Sequence, residues 1–206
     1  MDLYVDKKNN LWVGTTVGLN LLDRTTGNFI SYQMDVSGLG NYPGCMLEDK
    51  DGNLWNGSWN GLFLMDIATK EAVYYGYDEK DSTSISHNRI FAIHEDSKGK
   101  IWIGTASGLN LFDKEEGTFT AFYESDGLPS NAIYGILEDD HGNLWLSTGN
   151  GICRFNPSTK STKNFNIHDG LQGNEFKIHA YLKLRSGEML FGGGNGFNMF
   201  HPDRIK

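Results

Sequence analysis

Apolar residues in this chain come in short runs broken by polar turns, and the runs recur in a fixed order. The stretch EDDHGNLWLSTGNGI, Glu138 to Ile152, shows the unit: a polar turn, an apolar run carrying Trp145, a corner of small residues and a second apolar run. With Trp145 as reference, the equivalents are Trp12, Trp55, Trp102 and Leu190. A glycine stands six residues after each, at Gly18, Gly61, Gly108, Gly151 and Gly196. Subtracting the reference positions gives steps of 43, 47, 43 and 45 residues, the length expected of one four-stranded propeller blade.

Five units follow, at residues 3–35, 45–78, 90–126, 133–169 and 177–206, and each reads as four strands. Strand A is a short apolar run such as Ile133 to Leu137, and strand B carries the Trp. Strand C starts at the glycine, and strand D ends on an aromatic at Tyr32, Tyr75, Phe122 or Phe165. Between A and B the clusters DKKNN, DKDGN, DSKGK and DDHGN supply the Asp, Asn and Gly that hairpin turns need. Between B and C the chain has only a few small or polar residues in which to reverse, and glycine allows the tight corner. No window holds a sustained 3.6-residue apolar period, which argues against a helical solenoid. The expectation is an all-β fold of propeller blades, since radial packing covers faces that a flat array of sheets would expose.

The Trp positions are predicted to fill the space between blades. Burying one removes about 150–250 Å² from water, a gross stabilisation of roughly 4–6 kcal/mol at about 25 cal/mol/Å². Trp59 breaks the pattern: it sits in the B–C corner where the other units have Thr16, Ala106, Gly149 and Gly194. Leu3 to Val5 start partway through a strand A, and the fifth unit reaches Lys206 without a strand D. The sequence therefore predicts a last blade lacking its outer strand and a piece of a larger ring, with self-closure of five blades or pairing with a second copy as alternatives.

Composition narrows the function classes. The 206 residues are 38% hydrophobic and 13% aromatic, enough for a packed body, and 26 glycines against 4 prolines suit a chain that turns often. The net charge of -8 without a basic stripe argues against nucleic acid and against direct membrane contact as partners. Apolar runs are strand-length, and the N-terminus lacks a signal-peptide pattern. Cys45 and Cys153 occupy non-equivalent positions and read as buried apolar residues, their redox state left open.

Familiar catalytic patterns are absent from the sequence. DKDGN, Asp49 to Asn53, fails as a calcium loop because its glycine is fourth and position twelve is Asn60. The six histidines (His87, His94, His141, His168, His179 and His201) show no zinc spacing, so no metal and no cofactor is expected. The glycosylation pattern Asn56-Gly57-Ser58 falls in a predicted strand, and GGGNG at Gly192 to Gly196 lies between two strands rather than before a helix. The recurring Glu48-Asp49, Glu95-Asp96 and Glu138-Asp139 point to turn formation before catalysis.

The repeated string of apolar run, Glu-Asp, polar turn, Gly-Asn-Leu-Trp, Gly-Thr and Gly-Leu-Asn-Leu-Phe-Asp resembles the two-component regulator propeller repeat. Residues 90–113 are its nearest copy, LPSN at Leu128 to Asn131 looks like the family's link between blades, and Leu171 to Ile205 look like its last repeat. Leu190 in place of Trp suits that terminal type, whereas Asn56 departs from the apolar residue of the other units and would mark a polar, functional edge. The resemblance implies the periplasmic sensor region of a hybrid histidine kinase and response regulator. Such proteins carry seven-bladed rings followed by a β-sandwich, a membrane helix and a kinase, and they dimerise and sense oligosaccharides. The partners implied are an oligosaccharide, the remaining blades and β-sandwich of a parent chain, and a second copy.

On a propeller the D-to-A and B-to-C connections share one face, where loops vary while strands hold the scaffold. Here those loops carry Tyr42, Trp59, Asn60, His87, Arg89 and Asn131, the expected ligand-binding set, with Asn150 and Asn195 at equivalent corners. An aromatic ring beside amide and guanidinium groups suits a sugar, whose apolar face stacks while its hydroxyls take hydrogen bonds. The leading expectation is a non-enzymatic sensor. The alternatives are a streptogramin-lyase-like propeller, in which a loop histidine such as His87 would act with a nearby glutamate and magnesium, and a scaffold that mediates protein association.

Overall fold

A computed structural model describes residues 2–16, 18–32 and 43–205. These described residues form five antiparallel sheets, one per repeat. The first holds β1 (Asp2–Val5), β2 (Leu11–Thr15), β3 (Gly18–Leu22) and β4 (Phe29–Tyr32), and the second β5 (Pro43–Glu48), β6 (Asn53–Ser58), β7 (Gly61–Asp66) and β8 (Ala72–Tyr75). The third holds β9 (Ile90–Glu95), β10 (Ile101–Thr105), β11 (Gly108–Asp113) and β12 (Thr118–Phe122), and the fourth β13 (Ile133–Glu138), β14 (Leu144–Thr148), β15 (Gly151–Phe155) and β16 (Thr162–Phe165). The fifth has three strands, β17 (Phe176–Lys183), β18 (Met189–Gly193) and β19 (Gly196–Phe200), followed by a short 3₁₀ turn at Pro202–Arg204, where the fourth sheet has the turn between its third and outer strands. Within each sheet the strands pair in chain order, and the inner strands β1, β5, β9, β13 and β17 lie against one another in sequence. This is an open arc of propeller blades, as the repeat predicted.

The core lies between sheets. Trp12, Trp55, Trp102 and Trp145 are 0–1% exposed, and each packs on the sheet that follows its own. Trp55 meets Phe112 edge-on at 5.0 Å and Trp102 meets Phe155 at 5.7 Å, separations at which edge-to-face pairs are favourable. Small residues let the sheets approach: a Cβ on Gly104 would stand 2.8 Å from the carbonyl oxygen of Ile133 in the next sheet.

Each buried indole has one polar group, and the turn before it supplies the partner. Asp6, Asp49, Asp96 and Asp139 each accept a 2.9 Å hydrogen bond from the Trp Nε1–H six residues on, while their other oxygen accepts the turn's N–H groups. Burial works to raise the Asp6 carboxyl, but four hydrogen bonds, from Trp12, from the side chain and backbone of Asn10 and from the backbone of Lys8, outweigh it and hold the group below its ordinary range. The glutamate preceding the aspartate has a separate duty. Glu48, Glu95 and Glu138 reach across to the preceding sheet and accept the N–H of Lys7 at 2.6 Å, Lys50 at 2.9 Å and Ser97 at 2.8 Å. The Glu-Asp pair thus builds the turn, as expected, and also joins sheets.

The B–C corners follow the glycine rule. Gly61, Gly108 and Gly151 have φ of 123°, 131° and 101°, and each donates its N–H to the carbonyl of Asn88, Asn131 or Asn174 in the loop entering the next sheet. Asn56 is 1% exposed and shares the strand face of Leu54, which packs toward the first sheet, so the polar edge expected there is interior. Cys45 and Cys153 are buried thiols, and burial pushes the Cys153 thiol up to about 12.

Candidate functional site

Among the described residues the D–A connections and B–C corners lie at one end of the sheets, because strand A starts beside the end of strand B: Ile90 pairs with Thr105 and Ile133 with Thr148. At that end the pairing of the inner strand slips by one residue, between Pro43 and Cys45, between Ile90 and Ala92, and between Ile133 and Gly135. The extra residues, Gly44, Phe91 and Tyr134, are released from the ladder, and such a bulge re-aims its side chain. Phe91 and Tyr134 face each other with ring centroids 5.6 Å apart at 60°.

Arg89, in the loop entering the third sheet, joins this pair to the corner of the second. Its guanidinium carbon lies 4.6 Å from the Trp59 ring centroid and 5.6 Å from that of Phe91. Trp59, Arg89, Phe91 and Tyr134 therefore run as a ladder across three sheets. Trp59 is 48% exposed and Arg89 is exposed, whereas Phe91 is buried and supports the stack from below. A guanidinium stacked on indole keeps its N–H edge directed outward, which suits hydroxyl or anionic oxygen acceptors.

The other expected residues divide. His87 sits under this ladder, where its Nδ1 accepts the N–H of Arg89 at 2.9 Å, so the neutral ring carries its proton on Nε2. Burial, reinforced by the Arg89 charge, lowers its pKa and favours that neutral form. Asn60 turns the Trp59 corner: its N–H donates to Ser58 Oγ at 3.0 Å and its carbonyl accepts the Tyr74 hydroxyl at 3.0 Å. Asn131 belongs to a repeating turn, in which its side-chain carbonyl accepts the Glu124 N–H just as Asn88 accepts that of Tyr77 and Asn174 that of Ile167. Asn150 and Asn195 donate through their amides to Pro129 and Gln172 carbonyls and likewise hold loops. Tyr42 lies outside the described residues.

Sequence reading missed Phe91 and Tyr134 because an apolar residue at the start of a strand looks like core. The available signal was disagreement among the repeats, since the equivalent position in the second unit is Gly44. Clefts open elsewhere among the described residues, two of them lined in part by Phe165. One of about 420 Å³ is lined by Asn150, Asn164, Asn166, His168 and Asn174, whose amides already serve turns. The other, about 370 Å³, lies on the outer rim beside Trp145, Phe165 and Arg204. Among the described residues no three His, Cys, Asp or Glu side chains gather in a metal-binding group, and no helix is long and apolar enough to cross a membrane.

Four four-stranded sheets and a three-stranded fifth, packed radially with Trp between them, define a β-propeller fold. The family model of the two component regulator propeller matches residues 84–107 and 127–150. Among solved structures the chain is similar to the extracellular domain of a protein assigned to the hybrid two component systems of B. thetaiotaomicron, with 22% identity and a TM-score of 0.65 over 98% of this chain and 33% of that one. It is also similar to PorZ of the Porphyromonas gingivalis type-IX secretion system, at 19% identity and a TM-score of 0.75 over 98% and 32%. A third likeness is to virginiamycin B lyase from Staphylococcus aureus, at 15% identity and a TM-score of 0.63 over 98% and 70%. The chain thus spans about a third of the first two proteins, and at these identities the likenesses bear on the fold. A comparison with curated protein sequences finds no match.

Proposed function

We propose that this propeller is the ligand-sensing region of a hybrid two-component regulator, acting outside the cytoplasm and without catalysis of its own. It binds an oligosaccharide at the loop end of the second to fourth sheets and passes the bound state to a kinase module, with dimerisation of the region as part of the signal. The Trp59–Arg89 stack carries this reading: it is an exposed aromatic and cation at the one corner where the repeat departs from small or short residues. A sugar ring would lie on the exposed area of Trp59, and the guanidinium edge would take its hydroxyls. The sensor role is supported by the repeat family and the extracytoplasmic site by the extracellular relative.

Calorimetric titration with a panel of neutral and acidic oligosaccharides tests the site. One member should bind, and Trp59→Ala and Arg89→Ala should each weaken it by about tenfold or more, the loss expected for one desolvated stacking or charge-assisted contact. Equal affinity in both variants would remove this corner from the site. A lyase reading fits the chain less well. His87 has Arg89 rather than a carboxylate beside it, and His94, which lies 3.7 Å from Glu138, is at the opposite end of the sheets. Magnesium-dependent cleavage of a cyclic depsipeptide by the purified chain would reverse that preference.

A further inference from the structure

At their loop ends the second and third sheets each lay a tyrosine over the B–C corner, and the fourth sheet does not. A Cβ added at Gly61 or Gly76 would run into the Tyr74 ring, whose hydroxyl donates to the Asn60 carbonyl at 3.0 Å. In the third sheet a Cβ on Gly108 would stand 3.2 Å from the Tyr123 ring. The strand registers place the equivalents. Tyr74 pairs with Phe63 and Asn164 with Cys153, while Tyr123 follows Phe122 as Asn166 follows Phe165. The fourth sheet thus has asparagine at both positions, and the atoms nearest to a Cβ on Gly151 are backbone, of Phe165 and Asn166. What opens there is the cleft of about 420 Å³. That size falls within the roughly 300–1,000 Å³ of small-ligand pockets.

Four amides line this cleft, and the chain holds each by one end. Asn150 and Asn164 donate through Nδ2 to the carbonyls of Pro129 at 3.2 Å and Gly127 at 2.9 Å, which leaves their side-chain oxygens as acceptors. Asn166 and Asn174 are held the other way round. Their side-chain oxygens accept the N–H of His168 and Ile167, both at 2.8 Å, which leaves their NH₂ groups as donors. Two acceptors and two donors, oriented by backbone bonds around one cleft, suit hydroxyl groups, since a hydroxyl donates and accepts at the same oxygen. The lining holds no carboxylate to favour a metal ion and no Lys or Arg to favour an anion. We propose that this cleft is a second binding site, separate from the Trp59 corner and independent of what binds there, and that it takes one neutral sugar residue through its hydroxyls.

Nuclear magnetic resonance of the isotope-labelled chain separates the two sites, because the side-chain NH₂ signals of Asn166 and Asn174 report on the cleft and the indole N–H of Trp59 on the corner. Titration with the methyl glycosides of glucose, galactose, mannose and N-acetylglucosamine should move both asparagine signals saturably with at least one of them, at a Kd of roughly millimolar order, as a few solvent-facing hydrogen bonds provide. Asn164→Tyr gives the fourth sheet the ring that the second carries at Tyr74, and it should abolish the shift by filling the cleft. Asn164 is exposed, so this variant should melt as the wild type does. Asparagine signals that stay still with all of these glycosides, or a shift that survives Asn164→Tyr, would overturn the proposal whether or not the Trp59 signal moves.

Discussion

Replacing Trp102 with alanine is expected to destabilise the chain by about 3–5 kcal/mol. The side chain is fully buried between the third and fourth sheets, with Phe122 at 6.1 Å and Phe155 at 5.7 Å. Both neighbouring sheets are fixed by further junctions, so neither can collapse into the space, and the cavity term adds to the lost transfer energy. Against a typical stability of about 5–15 kcal/mol, that loss removes much of the folded population's margin. Guanidinium unfolding should show a midpoint far below wild type, or no cooperative transition. Trp59→Ala should move it by less than about 1 kcal/mol, as a substitution at an exposed corner does. A modest Trp102 effect would mean that the sheets cohere chiefly through the glutamate hydrogen bonds between them.

Asp96→Asn is expected to be nearly as damaging as Asp96→Ala, although only one atom changes. Asp96 uses both oxygens: Oδ1 accepts the N–H groups of Lys98 and Lys100 at 3.0 and 2.9 Å, and Oδ2 accepts Trp102 Nε1–H at 2.9 Å. An asparagine offers one acceptor and one donor. With its oxygen toward the turn, its NH₂ faces the indole N–H. Flipped, it faces the two turn N–H groups instead. Either way a buried donor loses its partner, at a cost of about 1–3 kcal/mol. The measurement is the denaturation midpoint of the two variants side by side, and a wild-type-like Asp96→Asn would show that the carboxylate is not required by the indole.

Much of the scaffold was legible because repetition averages out local ambiguity. A single Trp in an apolar run says little, but four at matching positions identified the filling between sheets, and all four are buried. The strand D ends at Tyr32, Tyr75, Phe122 and Phe165 also fall where the sequence placed them. What escaped is chiefly polar and between sheets. The constant six-residue spacing from Asp to Trp was visible, yet its hydrogen bond was not inferred. The glutamate beside each aspartate looked like part of one hairpin because its partner, such as Ser97 for Glu138, lies 41 residues away. At the loop end, amides such as Asn131 resembled ligand groups when their first duty is to turn the chain, a distinction that depends on which backbone N–H each faces. The Phe91 and Tyr134 bulges were hidden for a related reason: a one-residue slip changes no residue type.

The scaffold residues agree among repeats and the proposed binding corner is where they differ, so the most direct measurement is one that sees only that corner. Four of the five tryptophans are 0–1% exposed and Trp59 is 48% exposed, so acrylamide quenching of intrinsic fluorescence reports on Trp59. At saturation with the oligosaccharide that titrates in calorimetry, the wild-type quenching slope should fall to that of Trp59→Phe, because the sugar covers the indole. A saturating ligand that leaves the slope unchanged would place binding elsewhere and contradict the assignment of this corner.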